Sequence, residues 1–477
     1  MKKSLLWLLI MLLTVSMVAT FSLAGCKKEE VAEEEAVEEE VAEEEVAEEE
    51  AAPTGEQVVL HSMFLGATWG TAAKELAVEY EEETGVKVDV ELVGRDQIYT
   101  KLAMAVAGGA NYDIFNIDYS WIPQFASNDW LYPLTEFVDK YEVNLDEYLP
   151  LALAMGQWNG KAGDFGTGGE LYGIPQTIHP ALLWYRSDLF EDPKNMEDFQ
   201  AEFGRELTVP ETWDEFGEVA SFFHGREVNG TTLSGWAAQE AQTYGNVHTL
   251  LTFIYCYGGD VFNWDTMESN FSSPEVIEAV TTWANLLQYC PSAMSDYTFA
   301  EVSAEAAQGR VAMAIHWSWC AWEVDNPDTS TTVGLWDFAQ VPKGTVSVPH
   351  LAAWPVVIPK SSSNPEEAFK FIAWLENAEN DVRQADMGGG DPVRIASYSD
   401  PILMDQVISG TDILKYRRYE PLLEAMKVTK SRPWFAGEEE WEVVISPILT
   451  KIQTGKSTVE DACAEIDEAV NAMLAAE

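Results

Sequence analysis

Three tryptophans fall within six residues of the stretch AMAIHWSWCAW, at Trp317, Trp319 and Trp322. Indoles at that density either pack a core or form a platform on which the apolar face of a ligand stacks. Strand alternation from Ala312 puts Trp317 and Trp319 on one face. Trp322 takes the other face unless the strand gives way to a helix, and it is read as packing support.

The other reactive residues offer little to a catalyst. Eighty acidic residues against 28 basic ones guarantee chance carboxylate pairs, whereas a secreted glycosidase needs two protonation-tuned carboxyls about 5–10 Å apart. No GxSxG elbow, HExxH pair or cofactor fingerprint is present, and the glycines of GGGDPVR lack the GxxxxGK[ST] spacing of a phosphate cradle. Cys256, Cys290, Cys320 and Cys463 lack the close CxxC pairs of a zinc site. They are either buried thiols or include a disulfide, with 256 to 290 the easiest pairing. His179 has no companion metal motif, which leaves it a hydrogen bond to ligand or a structural role. No enzyme activity, cofactor or metal is expected. The net charge of −52 would repel a phosphate backbone, so no nucleic acid partner is expected either.

These residues need a scaffold, and the apolar periodicity supplies one. VVLHSMF reads as a strand, TWGTAAKELAVEYEEETG as an amphipathic helix closed by Gly85, and KVDVELV as an alternating strand. RDQIYTKLAMAVAGG is helical and YDIFNID is a third strand. Strand, helix, strand, helix, strand is the grammar of a parallel sheet covered by helices, giving an α/β class. Ligands of such sheets bind beyond the carboxyl ends of the strands, which places Trp69, Asp118, Tyr119 and Trp121 beside a crevice. Further helices are expected over 275–289, 296–309 and about 457–475, with a helix start at VPETW. Some 420 residues beyond the spacer suit two domains.

The amino end reads as a processing segment. Lys2 and Lys3 precede an apolar run, and Leu23-Ala24-Gly25-Cys26 resembles the lipobox of bacterial lipoproteins. Residues 1–25 are then a signal peptide, and fatty chains on Cys26 would hold the body at a membrane face, each buried methylene contributing about 0.8 kcal/mol. Residues 26–56 carry four five-residue units of the VAEEE kind and read as a solvated acidic spacer. The lysines and glutamates up to residue 56 account for only eleven of the excess negative charges, so the body itself is strongly acidic.

Across the body, YDIFNIDYSWIPQFASNDWLYPLTEF, LYGIPQTIHPALLWYRSDLF, VPETWDEF, AAQGRVAMAIHWSWCAW, AAWPVVIPKSSSNPEEAFKFIAWL and DPVRIAS occur in order. In that order and spacing the chain resembles the extracellular solute-binding proteins of bacterial ABC importers, in the sugar-binding family that includes the maltose-binding protein. The resemblance implies two α/β lobes joined by a multiply crossed hinge. Lobe one would comprise 57–173 and 308–352, and lobe two 174–307 and 353–477, with crossings near Gly173 to Gln176, Gly309, and Ala352 to Pro355. It implies a monomer, lipid-anchored outside the cytoplasmic membrane or in the periplasm, that delivers a carbohydrate, expected to be an oligosaccharide, to ABC permease subunits coupled to ATPases. The same fold holding a cation such as a polyamine is the alternative that the acidity favours.

Carried onto this chain, the resemblance makes Trp319 the aromatic ligand contact after the Ala-Met-x-Ile strand, with Trp317 beside it thickening the wall or narrowing the space. Trp354 follows the third crossing as a further aromatic contact. Tyr185, rather than Trp184, is expected to face the ligand, and Trp236 and Asp260 belong to another implied binding loop. Asp118 binds ligand hydroxyls or caps a turn. Arg394 donates to a sugar or anchors its own loop through nearby acids.

Overall fold

Local sequence sets the first elements. The computed structural model describes residues 57–108 and 110–476; the signal segment 1–25, Cys26 and the 26–56 spacer lie outside the described residues. Val59–Leu65 forms β1, and Thr68–Thr84 forms α1, which ends where Gly85 adopts φ of 75° and donates its N–H to the Glu81 carbonyl. Lys87–Val93 is β2, Arg95–Val106 is α2 and Ile114–Asn116 is β3. β1 pairs in parallel with both β2 and β3, as the alternating pattern requires of helix-linked strands.

Gly173–Arg186 (β4) is a 14-residue strand and the backbone of the molecule. Trp213–Phe223 (α3) follows, capped by a Thr212–Glu215 box. Next come Ser234–Ala237 (β5), Gly245–Cys256 (α4), Pro274–Leu286 (α5) and Phe299–Ala307 (α6). Val311–Trp317 (β6), Trp336–Ala339 (β7) and Leu351–Val357 (β8) complete the large sheet. Pro365–Leu375 (α7), Ala378–Asp386 (α8), Glu438–Gln453 (α9) and Val459–Leu474 (α10) close the chain.

The eight-stranded sheet runs β2-β1-β3-β8-β4-β6-β5, with β7 also on β4. β4 changes partners along its length. Its residues 173–180 pair antiparallel with β8, and 181–185 pair antiparallel with β6. Pro180, which has no N–H to give a ladder, sits at the changeover. At the start of β4 a Cβ on Gly173 would lie 2.8 Å from Pro355 Cβ, so only glycine lets β4 and β8 approach this closely.

The pairing divides the body differently from the expected allocation. β6 lies between β4 and β5, with Met313 opposite both Tyr185 and Trp236. Residues 308–339 therefore group with β5 and not with β1 to β3. Conversely β8 pairs with β3, and α7 and α8 pack on α1, where Tyr80 meets Phe371 at 5.1 Å and Glu79 holds Arg383 at 2.6 Å. Residues 351–386 thus belong with the first three strands. α9 packs on α4, where Asn246 Nδ2 donates to the Ser446 carbonyl at 3.1 Å. The chain passes between these halves within β4, again before β8, and once more before α9.

Cys256, Cys290, Cys320 and Cys463 are all buried free thiols, so the 256–290 disulfide does not form. All four are sequestered from solvent, where a thiol behaves as a small hydrophobe, and the Cys256 thiol also bonds to the Val348 backbone. Among the described residues no helix is long and apolar enough to cross a membrane.

Candidate ligand-binding site

A cavity of about 500 Å³ opens between the two halves, at the ends of β1, β3 and β6. Trp69, Trp317, Trp319 and Trp354 line it, together with His179, Phe299 and Tyr244. Trp69 sits in the first turn of α1, and its indole N–H donates to Asn116 Oδ1 at 3.1 Å. Asn116 ends β3 and gives its own Nδ2 to the Trp354 carbonyl at 3.1 Å. One buried amide therefore fixes two of the tryptophans relative to each other. Trp319 lies in a 3-10 turn, Ser318–Cys320, directly after β6. Its ring meets Trp69 edge-on at 4.9 Å, and Trp69 meets Trp354 at 5.9 Å. Burial pushes the His179 imidazole down to about 3, so it offers a neutral ring to the cleft.

The opposite wall is ionic. Arg95, at the start of α2, donates Nε to Asp118 Oδ2 at 3.1 Å and its terminal nitrogens to Glu439 at 2.9 Å and Glu442 at 3.3 Å. Its guanidinium lies 4.9 Å from the Trp121 ring and 5.0 Å from Tyr244. Asp118 also accepts from Arg432 Nη2 and from the Ser120 backbone and hydroxyl, the last two at 3.3 Å. Arg432 Nη1 reaches Glu442 at 3.0 Å, and His248 Nε2 stands 2.7 Å from the same carboxylate.

Two neighbouring acids of α9 respond oppositely to this setting. Burial alone would raise Glu442, but His248, Arg95 and Arg432 hold its carboxyl well below the usual range. Burial pushes Glu438 well above it, because Arg432 approaches only to 3.6 Å and neither carboxyl oxygen has a hydrogen-bond partner. Glu438, Glu439 and Glu442 each bring one oxygen within 4.8 Å of the others. Arg95 and Arg432 already occupy two of the three, so the group is an ion-pair network and not a vacant cation cage.

Of the residues singled out from sequence, the structure brings Trp69, Asp118, His179, Trp317, Trp319 and Trp354 to the cleft. The other six lie elsewhere. Trp121 backs Trp354 at 6.3 Å and donates to Glu439 at 2.7 Å. Tyr119 accepts from the Arg432 backbone at 2.7 Å and packs on Trp434. Tyr185 donates to Asp337 of β7, because the far end of β4 has left the cleft behind. Trp236 is core, its N–H on the Leu286 carbonyl at 2.8 Å. Asp260 pairs with Lys430 at 2.6 Å on a separate cavity of about 230 Å³. Arg394 anchors its loop, donating to Tyr148 at 2.8 Å and the Glu376 carbonyl at 2.7 Å.

Sequence reasoning passed over Arg95, Gln97, Tyr244, His248 and Phe299, which also line the cleft. Arg95 was the one with a signal: it opens a helix directly after a strand end, in a chain poor in basic residues.

Two α/β halves sharing a strand, with an aromatic and polar cleft between them, define a two-lobe binding protein of the periplasmic kind. Residues 66–382 match the family model described as bacterial extracellular solute-binding protein, and the chain belongs to that family. It is 23% identical over 379 residues to a probable amino-acid ABC transporter periplasmic-binding protein, y4oP, of Sinorhizobium fredii, covering 76% of this chain and 80% of that one. It is 22% identical over 391 residues to the erythritol/L-threitol-binding protein of Mycolicibacterium smegmatis, with 78% of each covered. A solute-binding protein from Agrobacterium radiobacter K84, solved in complex with ribitol, superposes with a TM-score of 0.74 at 22% identity, covering 87% of this chain and 98% of that one.

Proposed function

We propose that this protein captures a neutral carbohydrate, a sugar or polyol up to oligosaccharide size, and delivers it to an ABC permease. The observation that carries this reading is the cleft itself. Tryptophan faces stand ready for C–H surfaces, while the charged side chains at its edge, Arg95 and Asp118, are already bonded to protein partners. A polyamine would need an uncommitted carboxylate, and Asp118 has two arginines on it. The polyols named for two relatives point the same way, and the amino-acid designation of the third is the competing reading.

On this reading the halves close on the solute by a population shift, with β4 and β8 as the hinge strands. Lobe one is 57–180 with 351–386, and lobe two is 181–339 with 438–474. The chain acts as a monomer without catalysis, held by lipid on Cys26 beyond its acidic spacer. Mass spectrometry of small molecules released from the natively purified protein tests the assignment. A hexose, oligosaccharide or alditol is the expected result, and an amino acid or polyamine would overturn it. Incubating the protein with the released compound should leave that compound intact.

A further inference from the structure

Trp317 differs from the other cleft tryptophans in its company. Trp69, Trp319 and Trp354 are linked ring to ring. The ring neighbours of Trp317 are three histidines: His350 at 5.1 Å, and His179 and His248 at 6.1 Å. The indole also borders two spaces at once, the cleft on one side and a small void of about 10 Å³ among buried residues on the other.

That void carries several polar groups, some of them unsatisfied. Gln239, Thr249, Thr252 and His350 face it. Both ring nitrogens of His350, which is wholly buried, and Oε1 of Gln239 have no hydrogen-bond partner. Orphaned buried polar groups are costly, and a void of about 10–15 Å³ with several polar neighbours has room for a water. Burial, with His248 alongside, keeps the His350 imidazole well below its ordinary value, so one nitrogen donates and the other accepts. Hydroxyl groups complement that pair as well as water does.

We infer that Trp317 is the end wall that sets ligand length, its indole filling the place where a further sugar unit would reach a hydrated subsite made by His350, Gln239 and Thr249. An indole and a pyranose ring are of similar size, so truncating Trp317 merges the void with the cleft and offers one more ring position with hydrogen-bonding groups in place. This rests on the carbohydrate reading above.

Titration calorimetry with D-mannitol, maltose, maltotriose and maltotetraose separates the two ideas. Wild type, Trp317→Ala and Trp317→Ala/His350→Phe would be compared, with Trp317→Phe as the milder variant should the alanine protein not fold. In Trp317→Ala the preference should move toward longer probes, the ratio of dissociation constants for successive lengths changing about tenfold. Trp317→Phe should give a smaller move in the same direction, and His350→Phe should abolish it. Weakening of every probe by one common factor would overturn the inference and leave carbohydrate binding standing, as would a shift that survives His350→Phe. Silence of all proteins toward all four probes would overturn this inference, while the carbohydrate reading stands or falls on the identity of the co-purified solute.

Discussion

The aromatic wall of the cleft, Trp69, Trp319 and Trp354, is buried, and the ionic wall, Arg95, Asp118, Arg432, Glu439 and Glu442, is buried or partly buried, yet their partners lie in different places. Trp319 meets Trp69 edge to face and Trp354 packs on Trp69 at a tilt, so the aromatic partners are apolar rings that also line the cleft. The charges are consumed by one another. Arg95 comes from the half built on β1 to β3, whereas Glu439 and Glu442 stand on α9, packed against the other half. The aromatic side is thus built to meet a solute, and the ionic side to tie the halves together while presenting little net charge to the cleft. Buried ion pairs of this sort contribute modest stability when whole and are costly when broken.

The comparison breaks first at α9. Glu442→Gln leaves Arg95 and Arg432 short of a counter-charge and should lower stability by about 3–5 kcal/mol in urea unfolding. Glu438→Gln, which replaces a carboxyl already driven toward its neutral form, should stay within about 1 kcal/mol. Equal losses for the two would mean that the network does not discriminate between them. Next in size, Trp319→Ala should raise the dissociation constant of the co-purified solute about thirtyfold, roughly 2 kcal/mol, in fluorescence titration. Trp236→Ala, in the core, should instead lower the melting temperature and leave affinity unchanged where the protein remains folded.

A smaller effect concerns Glu240, which burial pushes up to about 8 although Trp283 and Gln453 bond to it. The folded state holds this proton more tightly than the unfolded chain, so its stabilising contribution is whole below about pH 4.5 and is lost as pH rises toward about 8. The stability advantage of wild type over Glu240→Gln in unfolding free energy should shrink as pH rises from 5 to 8. Solute affinity should not follow that trend, since Glu240 lies outside the cleft. Smallest of all, raising salt from about 0.1 to 0.5 M should change affinity less than twofold if the solute is neutral, while screening the acidic surface and raising the melting temperature. A steep salt dependence of binding would restore a charged solute.

Much of the fold was legible because it is written locally. Gly85 stops α1, alternation marks β2 from Lys87 to Val93, and Thr212 with Glu215 starts α3. Trp69, Asp118 and Trp319 were legible in the site because each follows a strand end, where a sheet of this class opens. What sequence could not give was partnership. Arg95 and Glu439 are 344 residues apart and meet only after the chain has passed between the halves. Nothing near Val311–Trp317 shows that this strand will pair with β5 instead of β3, since an apolar run fits either sheet half. The placement of Tyr185 failed to reach the cleft for a related reason: a strand as long as β4 spans both halves, and only its middle, at His179, borders the cavity.

The four sequestered thiols have a practical consequence. With Cys256 pushed up to about 12 by burial, and the other three buried as well, the folded body presents no exposed thiol among the described residues. Cysteines introduced at Met104 and Met196, both solvent-facing and on opposite halves, would be the addressable pair there. Dyes attached at those two points would turn the opening and closing of a single molecule into a distance trace.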